Sequence, residues 1–576
     1  MTPEVKTAGD GWARATTAMG EAMTRALAKP VGIGATRAYD PLAIANAMAE
    51  FGASYTPAKL FELQMDAARQ WGEFWRNALA PGDAPRANEP GRPRDRRFSA
   101  PEWENDPWFR GIRDAYLLAS AQLKRLVSQG EGDPKGKAMV GFLLDQWVNA
   151  LSPANFPHLN PQVIERTVAT GGANLAHGFA NLLEDVASGR GLVTRRTDPN
   201  AFVKGETIAA TPGQVVFQNE LFQLIQYTPT TPDVAAEPLL YVPPLVNRFY
   251  MIDLQPKSSL VKWLVDQGRT VFVISWVNPT DAHRAKGVED YVLDGIVAAI
   301  DFVRERTGAG PDLFAFCLGG TLVAIALAWL AAQGRGGEAN SATLIGSMVD
   351  FADMRDWSAF VHEAHLDALD DHLAAQGYID SVELQRLFAA MRANDLIWSS
   401  VVSHYLLDAP APASDLLYWF EDGARIPAAF LTSYNRKLLF ENALTRPAGF
   451  AVRGQPIDLA AIETPILSIA LKDDHVSAWS AVYDGAKLLR AEFLLGGSGH
   501  NAGVINPPAA NKHGFWTNDA RPDTAEEWLE TATRNEGSWW PWWDAWLSAK
   551  GGATRVPARA VTDGLEPAPG SYAKTA

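Results

Sequence analysis

One short segment constrains the fold more than any other: residues 316–320, with the sequence FCLGG. An apolar run at 313–316 precedes Cys317, and helix-forming residues follow the two glycines. This order is typical of a nucleophile elbow, in which a strand turns sharply into a helix. The turn requires small residues because strand and helix approach closely and the nucleophile's backbone is strained. The sequence therefore predicts Cys317 at a helix N-terminus, where the dipole favours a thiolate and an oxyanion.

Composition narrows the classes of protein that the chain can belong to. Apolar residues make up 47% and charged residues 20% of 576 residues, so the chain can bury large cores and form two or more domains. Cys317 is the only cysteine, which excludes an intrachain disulfide and a cysteine-cluster metal site and fits a cytoplasmic protein. We predict no metal. The net charge of −15 argues against a nucleic-acid partner.

Two possible membrane signals are weak. The first residues lack a basic segment followed by an apolar core, so we predict no signal peptide. Residues 313–332 are uncharged and long enough to span a bilayer. Because this run divides into a buried strand and a buried helix around Cys317, we expect an α/β core and no transmembrane segment.

Periodicity predicts a helical N-terminal region followed by an α/β domain. Residues 1–97 form a variable helical segment that ends in an exposed Pro/Gly/Arg linker at 81–97, and residues 98–195 form a helical domain. In residues 196–576, apolar β-rich runs alternate with helical segments, which indicates a mostly parallel sheet. These runs lie at 239–242, 270–276, 313–316, 342–349, 465–470 and 493–495.

Two further segments of the α/β domain are interpreted separately. The alternation stops at about 352–460, which we interpret as an inserted cap or lid over the strand ends. The tryptophans at 539–546 are expected to pack against the domain, and the residues after Gly551 to have little packed structure.

A cysteine nucleophile needs a base, and the base needs an orienting acid. Of ten histidines, His500 alone stands out, because it lies in a glycine-rich loop after the last predicted strand. In the order nucleophile, acid, histidine, the acid should end the preceding strand, where Asp473 and Asp474 are adjacent. Their side chains diverge, so only one can face the histidine. Asp350 is a third candidate, although its expected role is to hold the start of the insertion.

The chain resembles the class I polyhydroxyalkanoate synthases, which polymerise (R)-3-hydroxyacyl-CoA. The resemblance runs in order from about residue 100 to the C-terminus, and its motifs together are highly specific. Those motifs are SPAN at 152–155, VPPLVN at 242–247, DLQP at 253–256, FCLGGT at 316–321, NDLIW at 394–398, DH at 474–475, GHNAGVINPP at 499–508 and GSWWP at 537–541. One departure is Ala315, where the family usually has glycine.

The resemblance implies an α/β-hydrolase fold and an acyltransferase activity. It makes Cys317 the nucleophile that bears the growing chain, His500 its base and Asp474 the acid that helps to activate the incoming hydroxyl. It further implies an oxyanion hole formed by the backbone N–H groups of Leu318 and of a residue near Val246. His475 is shared with the family, and we expect it to be structural.

The resemblance also implies the partners. The substrate is a short-chain (R)-3-hydroxyacyl-CoA such as 3-hydroxybutyryl-CoA, with no cofactor besides the coenzyme A thioester itself. We expect a cytoplasmic homodimer associated with polyester granules. Arg436, beside Lys437 in the insertion, resembles a family arginine discussed for CoA binding, and an ordinary solvated charge pair is the alternative.

Two other functions remain open from the residues. The same three side chains with water as acceptor would make a thioesterase or an intracellular depolymerase. A granule-associated scaffold with a degenerate site is the second alternative, and it does not explain why Cys317, Asp474 and His500 are all present.

Overall fold

The computed structural model describes residues 7–28, 48–49, 51–79, 95–130, 133–190, 196–551 and 554–575. Residues 81–94 of the predicted linker lie outside these ranges. The chain divides into two compact units. One contains the described residues up to Asp198 with Ser358–Phe360 and Arg386–Pro412, and the other contains Pro199–Trp357, Val361–Gln385 and the described residues from Ala413 onward. The insertion at about 352–460 therefore contributes chain to both units.

The first unit is helical, as its sequence periodicity indicates. Side-chain caps start several helices: Asp106 accepts a hydrogen bond from the backbone of Trp108 at 2.8 Å, and Asn160 one from Gln162 at 3.0 Å. Its buried core includes Trp103, whose ring lies 4.9 Å from that of Phe98. The helices are α1 (Ala8–Ala28), α2 (Pro57–Leu79), α3 (Glu102–Asn105), α4 (Pro107–Gln129), α5 (Pro134–Ala150), α6 (Pro161–Thr170) and α7 (Ala173–Asp185).

The second unit contains a large β-sheet. The strands of the unit are β1 (Gly213–Gln218), β2 (Phe222–Tyr227), β3 (Asp233–Ala235), β4 (Leu239–Val242), β5 (Val271–Trp276), β6 (Asp312–Phe316), β7 (Ser341–Ile345), β8 (Tyr378–Ile379), β9 (Ile426–Pro427), β10 (Phe450–Val452), β11 (Gln455–Ile457), β12 (Ile466–Leu471), β13 (Glu492–Gly496), β14 (Phe515–Thr517), β15 (Thr533–Asn535), β16 (Arg555–Pro557) and β17 (Glu566–Pro567). Eleven of them form one sheet in the order β15-β14-β13-β12-β7-β6-β4-β5-β2-β1-β17.

The helices of the second unit alternate with the central strands. They are α8 (Leu260–Asp266), α9 (Val288–Asp290), α10 (Ala298–Thr307), α11 (Leu318–Ala332), α12 (Glu363–Gln376), α13 (Ser381–Met391, which continues into the first unit), α14 (Asp415–Glu421), α15 (Ala428–Ser433), α16 (Trp479–Leu488), α17 (Ala525–Thr531), α18 (Trp540–Gly551) and α19 (Gly570–Lys574). Wider π-helical turns occur at Tyr291–Val297 and Tyr434–Phe440.

The predicted α/β-hydrolase architecture is confirmed. Strands β5, β4, β6, β7, β12 and β13 pair in parallel, and antiparallel strands extend both edges. The uncharged run at 313–332 forms strand β6 and helix α11, as predicted. All of β6 and nearly all of α11 are buried. Among the described residues, no helix has both the length and the apolar character needed to cross a membrane.

The C-terminal region packs onto the sheet. Trp539, Trp540 and Trp543 are fully buried, which confirms the packing prediction for this tryptophan-rich segment. The predicted lack of packed structure after Gly551 is wrong for much of this segment. Strand β17 adds to the sheet edge beside β1, and α19 buries Gly570 and Ala573. The edge strand forms through backbone hydrogen bonds, which its polar composition does not reveal.

Candidate active site

Cys317 lies at the sharp turn between β6 and α11. Its backbone has φ 54° and ψ −126°, a sparsely populated conformation for a residue with a side chain. Its N–H donates to the carbonyl of Ile345 at 2.9 Å, which ties the turn to the end of β7. The thiol is partly exposed. The elbow therefore lifts the sulfur out of the sheet at the N-terminus of a helix.

The two glycines after Cys317 are required by close approach. A Cβ at Gly319 would lie 2.4 Å from the carbonyl oxygen of Val242 at the end of β4. A Cβ at Gly320 would lie 2.1 Å from the hydroxyl of Ser347. Any side chain at either position would push α11 away from the strands that hold the cysteine. Ala315 is fully buried within β6, where it pairs with Val242 and Leu344.

His500 connects the thiol to a buried carboxylate. Its Nδ1 lies 2.6 Å from Oδ2 of Asp474, and its side chain interacts electrostatically with Cys317. The ring of Phe316 packs at 4.7 Å from the imidazole. Gly346, at φ +57°, leaves space beside the imidazole, because a Cβ at this position would lie only 3.3 Å from Cε1 of His500. These contacts fix the imidazole between the Cys317 thiol and the Asp474 carboxylate.

The structure separates the two adjacent aspartates. The Asp474 side chain is fully buried, and its Oδ1 accepts hydrogen bonds from the backbone N–H groups of Val476 at 2.7 Å and Ser477 at 2.9 Å. Asp473 is exposed. Asp350 accepts from the Asn442 side chain at 2.8 Å and from Ala352 at 2.9 Å, so it holds the start of the insertion. Asp474 alone of the three contacts the histidine.

The electrostatics favour a charged histidine. Burial lowers the pKa of His500, but the negative charges of Asp474 and Cys317 and its hydrogen bonds to both outweigh burial. Together they raise the pKa of His500 from 6.5 to about 10. At neutral pH the arrangement therefore holds an imidazolium, which can stabilise a thiolate at Cys317 and donate a proton to a leaving group.

The backbone around the thiol provides candidate oxyanion donors. Leu318 begins α11, and the N–H groups of the first helical turn have no acceptor within the helix. Val246 lies in the loop that follows β4, and its carbonyl accepts from the N–H of Ala424 at 2.8 Å. The close approach of Gly319 to Val242 brings this loop beside the helix N-terminus.

Comparison with known proteins decides the family. Residues 94–264 match the model for the poly-beta-hydroxybutyrate polymerase (PhaC) N-terminus, and residues 238–507 match the alpha/beta hydrolase fold. The chain is 39% identical to the poly(3-hydroxyalkanoate) polymerase subunit PhaC of Cupriavidus necator, over 91% of this chain and 90% of that protein. It is also 39% identical to the poly(3-hydroxyalkanoate) polymerase of Methylorubrum extorquens (90% and 87% covered) and 38% identical to polymerase 2 of Ectopseudomonas oleovorans (84% and 87% covered).

The chain belongs to the poly(3-hydroxyalkanoate) polymerase family. The resemblance found in the sequence is thereby confirmed. As a member of this family the protein is an acyltransferase of polyester synthesis built on an α/β-hydrolase fold. Within the described residues, no cluster of three or more His, Cys, Asp or Glu side chains is arranged to hold a metal ion.

Arg436 of this polymerase is already ion-paired. Its Nε lies 2.5 Å from Asp370 and its Nη2 lies 2.6 Å from Asp367. These hydrogen bonds and charges raise the pKa of Arg436. Lys437 pairs separately with Glu441 at 2.8 Å. An anionic ligand at Arg436 therefore has to compete with two carboxylates.

Two tyrosines near the thiol have no signal in the sequence. Burial raises the pKa of Tyr241 in β4 and of Tyr434 in the insertion, and the charge of Cys317 raises both further. Thr321 in α11 partly offsets the rise in the pKa of Tyr434, and the Tyr434 ring stacks on that of Phe430 at 5.9 Å. Both tyrosines therefore remain neutral phenols near the Cys317 sulfur. Tyr434 lies in a segment without a motif, so only its tertiary position draws attention to it.

Proposed function

We propose that this protein polymerises (R)-3-hydroxyacyl-CoA into polyhydroxyalkanoate with release of CoA. Cys317 acts as the nucleophile, His500 as general acid and base, and Asp474 as the acid that orients the histidine. The N–H groups of Leu318 and Val246 stabilise the oxyanion. The observation that carries this proposal is the direct connection from Asp474 through His500 to Cys317 at a strained elbow, in a member of a polymerase family.

Loading exchanges one thioester for another. The Cys317 thiolate attacks the acyl carbonyl of the CoA thioester, and the oxyanion forms against the backbone N–H groups. When the carbon–sulfur bond to CoA breaks, the imidazolium of His500 gives its proton to the leaving thiolate. The acyl group is then bound to Cys317, and His500 is neutral.

Elongation converts the thioester into an ester. Neutral His500 removes the proton from the 3-hydroxyl of the next unit as that oxygen attacks the acyl carbonyl on Cys317. The carbon–sulfur bond breaks, an ester bond forms, and Cys317 leaves as a thiolate beside a restored imidazolium. Because an oxoester is more stable than a thioester, this step favours chain growth. The raised pKa of His500 supports the alternation, since the imidazolium is the form of the histidine present before loading.

The remaining assignments concern partners and substrate range. We propose a short-chain substrate such as 3-hydroxybutyryl-CoA, a homodimer, and location at the cytoplasmic polyester granule. No cofactor takes part besides the CoA of the substrate. Arg436 contacts the anionic part of CoA by exchanging one of its carboxylate partners. With one cysteine per chain, any scheme that uses two thiols requires two subunits.

The test measures CoA release from (R)-3-hydroxybutyryl-CoA and the size of the acyl product in the same sample. We expect rapid CoA release with high-mass polyester for the wild type and neither for Cys317→Ala. Release with free 3-hydroxybutyrate alone would identify a thioesterase instead. Absence of release by the wild type would contradict the proposal for this substrate.

A further inference from the structure

A group of ion pairs and hydrogen bonds around one buried arginine joins the C-terminal helix to the loop that carries Val246. Arg248, two residues after Val246, is 5% exposed. Its Nη1 donates to the carbonyl of Tyr572 at 3.0 Å and its Nη2 to that of Thr575 at 2.5 Å. These carbonyls lie at the end of α19, where backbone oxygens lack acceptor partners within the helix and attract cations. The guanidinium thus binds the last helical turn of the chain.

A second cation and a shared carboxylate complete the connection. Lys204 donates to the carbonyl of Ala573 at 2.9 Å and pairs with Asp422 at 2.6 Å. Asp422 also accepts from the hydroxyl of Tyr250 at 2.6 Å and lies 3.9 Å from Nε of Arg248. Arg248 is the buried charge of this group, and removing a partner from a buried charge is costly because that charge has lost its hydration. The partners of Arg248 therefore favour one geometry.

The same loop is fixed from its other side by α14 and the turn after it. The indole of Trp419 donates to the carbonyl of Arg248 at 2.7 Å. The side chain of Asn247 donates to the carbonyl of Phe420 at 3.2 Å. With the bond from Ala424 to the Val246 carbonyl, each of three consecutive loop residues is held by an outside partner. The loop backbone is thus positioned by α14 on one side and by the C-terminal helix on the other.

We infer that Arg248 is a positioning residue, and that docking of α19 through it sets the Val246 N–H for oxyanion stabilisation. The inference rests on the role proposed above for Val246. An oxyanion donor works only when it is directed at the developing negative oxygen before the reaction begins. Releasing α19 would let the loop relax while leaving Cys317, His500 and Asp474 in place, since His500 and Asp474 hydrogen bond to each other and Asp474 to the backbone after β12.

The test compares two reactions of the same thiol. Acyl transfer passes through an oxyanion, whereas alkylation of Cys317 by iodoacetamide is a displacement at carbon that forms none. For Arg248→Gln we expect kcat for CoA release to fall about tenfold to a hundredfold, less than the roughly 10²- to 10³-fold loss when an oxyanion donor is removed outright. The alkylation rate should stay within about twofold. Arg248→Lys, which keeps one donor to the carbonyls, should recover part of the loss.

A matched control breaks another ion pair made by the C-terminal residues that include α19. Arg306 pairs with Asp563 at 2.6 Å, away from the Val246 loop. Arg306→Gln should leave kcat within about twofold of the wild-type value, because it removes the ion pair to Asp563 and leaves the contacts of α19 intact. All variants are compared at a temperature where circular dichroism shows them fully folded. A chain that ends at Ala568 should show the same loss of kcat as Arg248→Gln. A variant with both changes should lose no more kcat than the more affected of the two single variants.

Three outcomes would overturn the inference: unchanged acyl transfer in Arg248→Gln, an equal slowing of acyl transfer and alkylation, or independent, multiplicative losses in the combined variant. Failure of the proposed function is distinguishable, because the wild type would then release no CoA, or Cys317→Ala would release it normally.

Discussion

Replacing Asp474 with asparagine tests the contact between His500 and the buried carboxylate with little change in shape. In the structure one carboxylate oxygen accepts from two backbone N–H groups, and the other lies 2.6 Å from His500. Asparagine can keep its amide oxygen on the two N–H groups. The amide nitrogen then faces Nδ1 of the histidine, so the negative charge and the acceptor are both lost at that position.

The expected magnitude follows from these contacts. Loss of a hydrogen bond between charged groups should lower the free energy of unfolding by about 1.5–3 kcal/mol. A misoriented and less basic histidine should reduce kcat by roughly 10²- to 10⁴-fold, the usual contribution of a positioned acid–base group. Asp474→Ala should be less stable again by about 1–3 kcal/mol for each backbone N–H left without a partner.

The assay is CoA release from (R)-3-hydroxybutyryl-CoA, paired with urea unfolding of the same preparations. Asp473→Asn provides the control, since it is the adjacent residue with the same chemistry and an exposed side chain. We expect its kcat to stay within about twofold of the wild-type value and its free energy of unfolding to stay within about 0.5 kcal/mol. Equal losses in the two variants, or normal activity in Asp474→Asn, would refute the reasoning.

Three further predictions concern packing, pH and the CoA contact. Gly319→Ala should lower the free energy of unfolding by about 1–3 kcal/mol and abolish most of the CoA release, because the new methyl group meets a backbone carbonyl. Gly337→Ala, which has open space around it, should change neither quantity. Urea unfolding and CoA release measure the two effects. Since the pKa of His500 is raised to about 10, its ionic contacts stabilise the fold fully below pH 6.5 and are lost as the pH rises towards 10. Over this range the free energy of unfolding of the wild type should fall by a few kcal/mol relative to that of His500→Gln. The same pH dependence of unfolding in both proteins would contradict this. Arg436→Gln should raise KM for the CoA thioester about threefold to tenfold with kcat unchanged, and Lys437→Gln should not; an unchanged KM in Arg436→Gln would remove the assignment.

Local sequence patterns predicted the centre of the fold well. The strands β4, β6 and β12 are short and mostly apolar, a pattern typical of a sheet that is buried on both faces. The antiparallel strands β1 and β2 were not predicted. Their sequences, GQVVFQ and FQLIQY, mix glutamines with apolar residues, and their pairing depends on neighbours at the sheet edge rather than on their own composition.

The chain itself determined the form of the turn at Cys317. The order of strand, cysteine, two glycines and helix is local. The loop of His500 could likewise be located, because glycines and a preceding strand are visible in the sequence. These features depend on residues close in the chain, so the sequence alone carries them.

Other features were decided by tertiary structure alone. The choice of Asp474 over Asp473 rested on a family resemblance until the turn after β12 buried one side chain and exposed its neighbour. The placement of Tyr434 beside the thiol, and of Arg248 on the C-terminal helix, joins residues more than a hundred positions apart. Such contacts arise because packing and burial assign partners across the whole chain, and hydrogen bonds from buried charges then fix them in one geometry.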